Sequence, residues 1–317
     1  MVYFPYLRGK QYELIALRDI CEFITETTVI SPIIEPVKKI NSTLSRTLSC
    51  LKEHNINFNF ILNPQEPKGE IQPENYDQYM SDIIAIIDGY DNYQPTFLIN
   101  ERVNIGSIIS YINNHQLNNI ALIITQLPKN EIEFGRLLDA TEIRYVILQD
   151  DSSVRRLSRQ IRPKCKDLIL LADRFNLKTR NVDYENPNDE LFSNDHLFYA
   201  EEGFSGFSDY LTIGNSYTDG GFLPYAVAIH LTYFDDDKNL RVHHFVSDSN
   251  DDNSDVPGKV SEALAKLIPF IDGKDMHTMA CEEFRAIDLT GSYPGLGSIK
   301  KLSILNHMEL IYDFFTE

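Results

Sequence analysis

Cysteine is scarce in this chain of 317 residues: four stand singly, at Cys21, Cys50, Cys165 and Cys281. No CxxC pair or Cys/His cluster occurs, which argues against a structural zinc site, and no disulfide framework is expected in a reducing compartment. Also lacking is any apolar run long enough to span a bilayer. The opening stretch "MVYFPYLRGKQYEL" has none of the basic, apolar and small-residue order of a secretory signal. These absences predict a soluble cytoplasmic protein. Catalytic signatures are missing too: no HExxH, no GxSxG elbow and no GxxxxGK[ST]. Positive charge is short, with 29 Lys+Arg against 47 Asp+Glu and a formal charge of −18, which disfavours direct nucleic-acid binding. One local exception is "SSVRRLSRQIRPKCK" (152–166). It reads first as a solvated helix face and second as a contact for phosphate or an acidic partner.

What is present is a globular composition, 43% hydrophobic and 24% charged. The first half repeats one theme of short apolar runs, each followed by a segment of helical periodicity. "VYFPYL" (2–7), "VISPIIEPV" (29–37), "FNFILN" (58–63), "PTFLIN" (95–100), "NIALIITQ" (119–126), "IRYVILQDD" (143–151) and "KDLILLAD" (166–173) are the strand candidates. Alternation of this kind predicts parallel strands with helical crossovers. An open doubly wound sheet usually carries a glycine-rich first turn. Here that turn is "LRGKQYE", with one glycine, so the expected fold is α/β: a (β/α)8-like parallel barrel. After Asp173 the rhythm breaks. A polar loop (174–195), a glycine- and aromatic-rich stretch (196–222) and a hairpin around "DDDKN" (224–248) follow. The hairpin reads as an insertion or an extended eighth strand, and "GFSGFS" as a tight loop or a phosphate-binding nest of backbone N–H groups. The expected organisation is a barrel-like domain over 1–257 that includes the late hairpin, with C-terminal helices over 258–317 packed on it.

Barrel enzymes place their chemistry at the C-terminal ends of the strands. The polar residues at those ends are therefore the site candidates. Glu35 and His230 are the candidate catalytic groups. Arg8, Lys10, Asn63 and Arg174 would bind a polar or phosphate-bearing ligand. Glu35, Glu101, Asp150 and Asp209 would hold a divalent metal such as Mg through oxygen. The competing reading is an ordinary polar rim, since every strand must leave the core. His230, on "VAIHLTY", reads first as a hydrogen-bonded structural residue and second as a general base or metal ligand. His243 and His244 are adjacent on a strand, so their side chains face opposite ways.

Several segments also resemble the beta-protein family, named for the beta protein of a satellite phage's gop–beta–cin cluster. They are "YFPYLRGKQYELIALR" (3–18), "ISPIIEPVK" (30–38), "GFSDYLTIG" (206–214) and "YAVAIHLTY" (225–233). The resemblance implies a bacterial or mobile-element protein of anti-phage defence, encoded beside a protein partner, and draws attention to Arg8, Lys10, Glu35 and Asp209. The leading expectation is thus a defence-system component acting with a partner as sensor, regulator or complex subunit, with a homo-oligomer as a further option. The alternative is a metal-assisted hydrolase of a phosphoester or nucleotide, its site at the barrel mouth.

Overall fold

Strands covered on both faces must be apolar on both, and the apolar runs of the first half become such strands. The computed structural model describes residues 1–66, 68–217 and 223–317. Its main sheet contains β1 (Tyr6–Leu7), β2 (Ile33–Ile34), β3 (Phe58–Ile61), β4 (Tyr93–Ile99), β5 (Ile120–Ile124), β6 (Ile143–Gln149) and β7 (Leu168–Ala172). All of them pair in parallel and in chain order. Between them run α1 (Gln11–Cys21), α2 (Ser42–Glu53), α3 (Tyr76–Ile87), α4 (Ile105–Asn114), α5 (Glu131–Ala140) and the two short turns α6 (Ser152–Arg155) and α7 (Ser158–Ile161). Asparagines start three of these helices. Asn41, Asn104 and Asn130 each accept from the first-turn N–H groups that no carbonyl can reach.

The chain divides into two compact units. The first holds 1–14, 25–173 and 195–209 and is an eight-stranded parallel barrel. The hairpin is not its eighth strand. That place is taken by β9 (Gly206–Asp209), which lies beside β7 and follows α8 (Asp195–Phe198), inside the stretch read as a glycine-rich loop. The nest reading of "GFSGFS" is corrected with it, because the backbone N–H groups there already have acceptors. Gly203 donates to Ala200, Phe204 to Tyr199, Ser205 to Leu168 and Phe207 to Val2. Residues 218–222 of the same stretch lie outside the described residues.

The ring closes where β9 meets the chain entering β1. Tyr3 bridges Phe207, the Phe4 N–H donates to the Phe207 carbonyl (2.9 Å), and the Phe207 N–H donates to the Val2 carbonyl (2.8 Å). Gly206 lets the two backbones approach this closely. A Cβ there would stand 2.5 Å from the Val2 carbonyl oxygen and 3.1 Å from the Phe4 ring.

The second unit holds 15–24, 174–194 and 210–317. Its sheet is antiparallel, in the order β10 (Ala228–Phe234), β11 (Leu240–Val246) and β8 (Asp189–Ser193). The segment expected to be a long loop thus supplies a strand, whose polar sequence conceals it: Asp189 and Glu190 bond to histidines and arginine across the sheet. The unit is completed by α9 (Val256–Gly273), α10 (Met279–Thr290) and α11 (Leu296–Thr316). Asn306 of α11 donates to the Thr232 carbonyl (2.8 Å) and accepts from the Thr278 hydroxyl (2.9 Å), tying α11 to β10 and to the cap of α10. Among the described residues no helix is long and apolar enough to cross a membrane.

The seam gives a direct test. Gly206→Ala must push Val2 or the Phe4 ring aside, and overpacking of this kind costs about 1–3 kcal/mol. Urea unfolding should show a lower midpoint for this variant. A Gly135→Ala control, where a Cβ meets nothing within 4 Å, should leave the midpoint unchanged or raised.

Candidate functional site

Arg8 and Glu35 leave adjacent strands, β1 and β2, at their C-terminal ends, and both are almost fully buried. The Arg8 Nη1 lies 3.4 Å from Glu35 Oε2 and 3.0 Å from Glu66 Oε2. One guanidinium thus serves two carboxylates. The second of these, Glu66, comes from the loop after β3 and was not singled out by the sequence. Glu35 takes further donors: the Tyr6 hydroxyl on Oε2 (2.9 Å) and the Gln65 backbone N–H on Oε1 (3.1 Å). Buried Glu13 of α1 accepts the backbone N–H of Arg8 (2.7 Å), so the turn at Gly9, with φ of 65°, is pinned beneath the cluster. Burial of a charge is tolerable only with such pairing. With both oxygens occupied, Glu35 is an anchor that holds Arg8 and Gln65 in place.

Gln65 leads outward. Its side-chain amide donates to the Asn63 carbonyl (2.9 Å) and to the Tyr76 hydroxyl (3.3 Å). The Tyr76 hydroxyl donates to the Pro64 carbonyl (2.7 Å) and is pushed up to about 12, by burial first and then by the nearby charges of Glu35 and Glu74. Gln65 and Tyr76 form one wall of a cavity of about 380 Å³ over the C-terminal ends of β3 and β4. Arg102, Asn104 and Ser107 line it from the start of α4 and Tyr111 from farther along that helix, with Phe97 and Ile108 supplying apolar surface; Asp77 of α3 also lines it and lies 3.7 Å from His115. Among the described residues the Arg102 guanidinium has no ion-pair partner, and the buried Tyr111 hydroxyl has no hydrogen-bond partner. Burial pushes the Tyr111 phenol up, so it remains a donor.

Of the other sequence candidates, Asn63 borders this cavity with its side chain already paired: its amide donates to the Leu98 carbonyl (2.9 Å) and its oxygen accepts the Leu98 N–H (2.8 Å), replacing a ladder bond between β3 and β4. The rest scatter. The backbone N–H of Lys10 joins the turn held by Glu13. Asp209 shares a face of β9 with Phe207, which packs on Tyr199, so it turns away from the barrel interior. There it accepts from the Tyr3 hydroxyl (3.0 Å), whose pKa burial and the Asp209 charge raise well above the usual range. Asp150 pairs with Arg155 (2.8 Å), and Glu101 is exposed. The four-carboxylate metal set of Glu35, Glu101, Asp150 and Asp209 is therefore corrected. No group of three or more His, Cys, Asp or Glu among the described residues could hold a metal ion. The basic segment 152–166 also spends charge internally, with Arg155 on Glu202 (3.2 Å) and Arg162 on the Gly203 carbonyl (2.7 Å).

Arg174 and His230 belong to the second unit. His230 Nδ1 lies 2.8 Å from His244 Nδ1, and His244 Nε2 lies 3.3 Å from Glu190 Oε1. Only one proton fits between two nitrogens at that distance. Glu190 can only accept, so the network assigns the proton on His244 to Nε2. His244 Nδ1 is then bare and accepts from His230 Nδ1–H. This leaves the His230 Nε2 lone pair as the acceptor end of a carboxylate–imidazole–imidazole chain. Tyr184 packs on both rings, at 4.5 and 4.7 Å, and Phe175 on His230 at 5.0 Å. Burial lowers the His230 pKa well below the ordinary range, aided by the charges of His244 and Lys300. Burial also lowers that of His244, with His243 and Lys178 adding to it and Glu190 opposing it. His243 turns to the other face and meets Asp189 (2.9 Å).

Lowered histidine pKa values make the unfolded chain bind more protons once the pH drops below about 6.5, so stability is full above that value and falls as the pH falls. Glu309 works in the opposite sense. Burial raises it to about 7, so its contribution falls as the pH rises from 4.5 to about 7. Denaturant melts between about pH 7 and pH 5 should therefore show a shallower acid loss in His230→Leu than in the native chain. Glu309→Gln should gain stability above pH 7 and little at pH 5. Parallel pH profiles for His230→Leu and the native chain would remove the relay.

No protein-family model matches the chain, and no curated protein matches it, so nothing there bears on the likeness to the beta-protein family. Among solved structures, the chain is similar to an N-acetylneuraminate lyase from Mycoplasma synoviae. The two are 11% identical with a TM-score of 0.42, over 66% of this chain and 68% of that one. No residue role or substrate is carried over from it. The functional expectation is corrected here: no family model or curated protein supports a defence component, and the carboxylates that the metal-assisted hydrolase required are not gathered into an ion site among the described residues.

Proposed function

We propose that the barrel binds a small ligand carrying a carboxylate or phosphate group at the C-terminal ends of β3 and β4. The observation that supports this reading is the Arg102 guanidinium, unpaired among the described residues, on the same cavity as the Tyr111 hydroxyl. The N-terminus of α4 opens on that cavity through Asn104 and Ser107. A free guanidinium, an unsatisfied phenol and the positive end of a helix dipole share one preference, an anionic oxygen. Phe97, Val103 and Ile108 would take the apolar body of the ligand. Arg8, Glu35 and Glu66 act one step back, as positioning residues for the Gln65–Tyr76 wall.

Three further points are carried as proposals. A cytoplasmic location fits the acidic charge and the four free cysteines. Descent from the beta-protein family rests on the quoted segments alone. A protein partner or a second copy of the chain is tested by light scattering against the 36.5 kDa of one chain.

Titration calorimetry with inorganic phosphate and, separately, succinate distinguishes the two anion classes. Arg102→Ala should weaken the preferred anion about tenfold, and Tyr111→Phe by less, as expected for losing a charge-assisted and a single neutral hydrogen bond. Binding that survives Arg102→Ala undiminished, or no heat with either anion, overturns the reading. Glu35→Gln should lower unfolding stability by about 1–3 kcal/mol, since Arg8 keeps Glu66, while weakening the anion less than Arg102→Ala does.

A further inference from the structure

The barrel has a second concavity, at the end where the strands begin. It measures about 320 Å³ and is lined by residues at and before the starts of the strands: Met1, Ser31, Asn57, the run from Tyr90 to Pro95, the run from Gln116 to Asn119, and Arg144 with Tyr145. This face of a barrel normally serves stability, and its innermost layer is normally bulky and apolar. Here that layer is polar. The Tyr145 hydroxyl donates to Asn59 Oδ1 across the interior, from β6 to β3. The Asn59 amide donates in turn to the Ser31 hydroxyl (3.1 Å) and carbonyl (3.3 Å). Tyr145 and Ser31 are buried, yet both also line the cavity, so the chain of hydrogen bonds forms its floor.

Six of the fifteen lining residues are carboxamides. The Gln94 amide is occupied, donating to the Asn119 carbonyl. Half-buried Asn57 and the exposed Gln116, Asn118 and Arg144 make no side-chain hydrogen bond to protein among the described residues, so their groups face solvent and are open to a ligand. Each carboxamide offers both donors and an acceptor, and a guanidinium offers a fork of donors. A ligand that satisfies such an alternation must itself both donate and accept at closely spaced positions, which is what vicinal hydroxyl groups do. The Tyr93 ring adds an apolar face of the kind that packs on the C–H side of a sugar ring. Charge is mixed on this cavity, with Asp91 set against Arg144 and the Met1 amino group, and the carboxamides outnumber the charged groups, so the commoner demand is for paired donors and acceptors.

We propose that this N-terminal mouth is a binding site for a neutral carbohydrate of about monosaccharide size. It is a separate site from the anion cavity and does not rest on that reading. The test is NMR on the full chain, following the side-chain amide resonances of Asn57, Gln116 and Asn118. The probes are D-glucose, D-galactose, D-mannose and D-ribose, with inorganic phosphate as the charged arm. At least one sugar should give saturable shifts at these amides with a millimolar dissociation constant that is insensitive to salt. Asn118→Ala and Asn57→Ala should each weaken it about fivefold, the loss expected for one or two hydrogen bonds. Arg102→Ala should leave it unchanged. No saturable shift with any of the four sugars overturns the proposal. Equal shifts in the Asn118→Ala and Asn57→Ala chains, or a stronger response to phosphate than to sugar, also overturn it.

Discussion

Closure of the eight-stranded ring is the constraint on which the first unit depends. Parallel strands bring their C-terminal ends to one mouth only if the last strand returns to the first. Here the return is made by one parallel bridge of two backbone hydrogen bonds, between Phe207 of β9 and the residues around Tyr3. Gly206 permits them by having no side chain to place against Val2. The strand ends β1 and β2 then sit side by side, and Arg8 can reach both Glu35 and Glu66.

That cluster shows why a buried carboxylate at a barrel mouth need not be a reacting group. Glu35 looks exceptional in sequence, between two prolines at the end of an apolar run. In space its oxygens are spent on Tyr6, Arg8 and Gln65. The groups with unused capacity stand farther out, at Arg102 and Tyr111. The second unit makes the complementary point. His230 gains its character from two partners on neighbouring strands, since Glu190 and His244 decide which nitrogen carries the proton.

Much of the architecture was legible because it is written locally. Apolar runs of strand length, alternating with segments of helical period, predict a parallel barrel; six of its eight strands fall within the runs so identified, and β4 starts two residues before its run. The hairpin around Asp235–Asn239 was equally plain. The eighth strand was not, because "GFSD" is short and carries the glycine that its close approach needs. β8 was hidden for another reason: Asp189 and Glu190 are polar because they answer Arg241, His243 and His244 across the sheet. Helix α10 went unmarked although Thr278 caps it and Phe284 and Ile287 are buried on one side.

The candidate sites divide along the same line. Residue type and strand position were enough to single out Arg8, Glu35 and His230, because a polar group at the end of an apolar run is visible in one dimension. Which of them pair, which anchor and which remain available depends on neighbours distant in the chain: Glu66 for Arg8, Asn59 for Tyr145, His244 for His230. The sequence by itself determined the class of fold and the supply of polar groups, since both follow from local pattern. Only the tertiary structure decided their roles, because a hydrogen bond or an ion pair is a property of two groups and the distance between them.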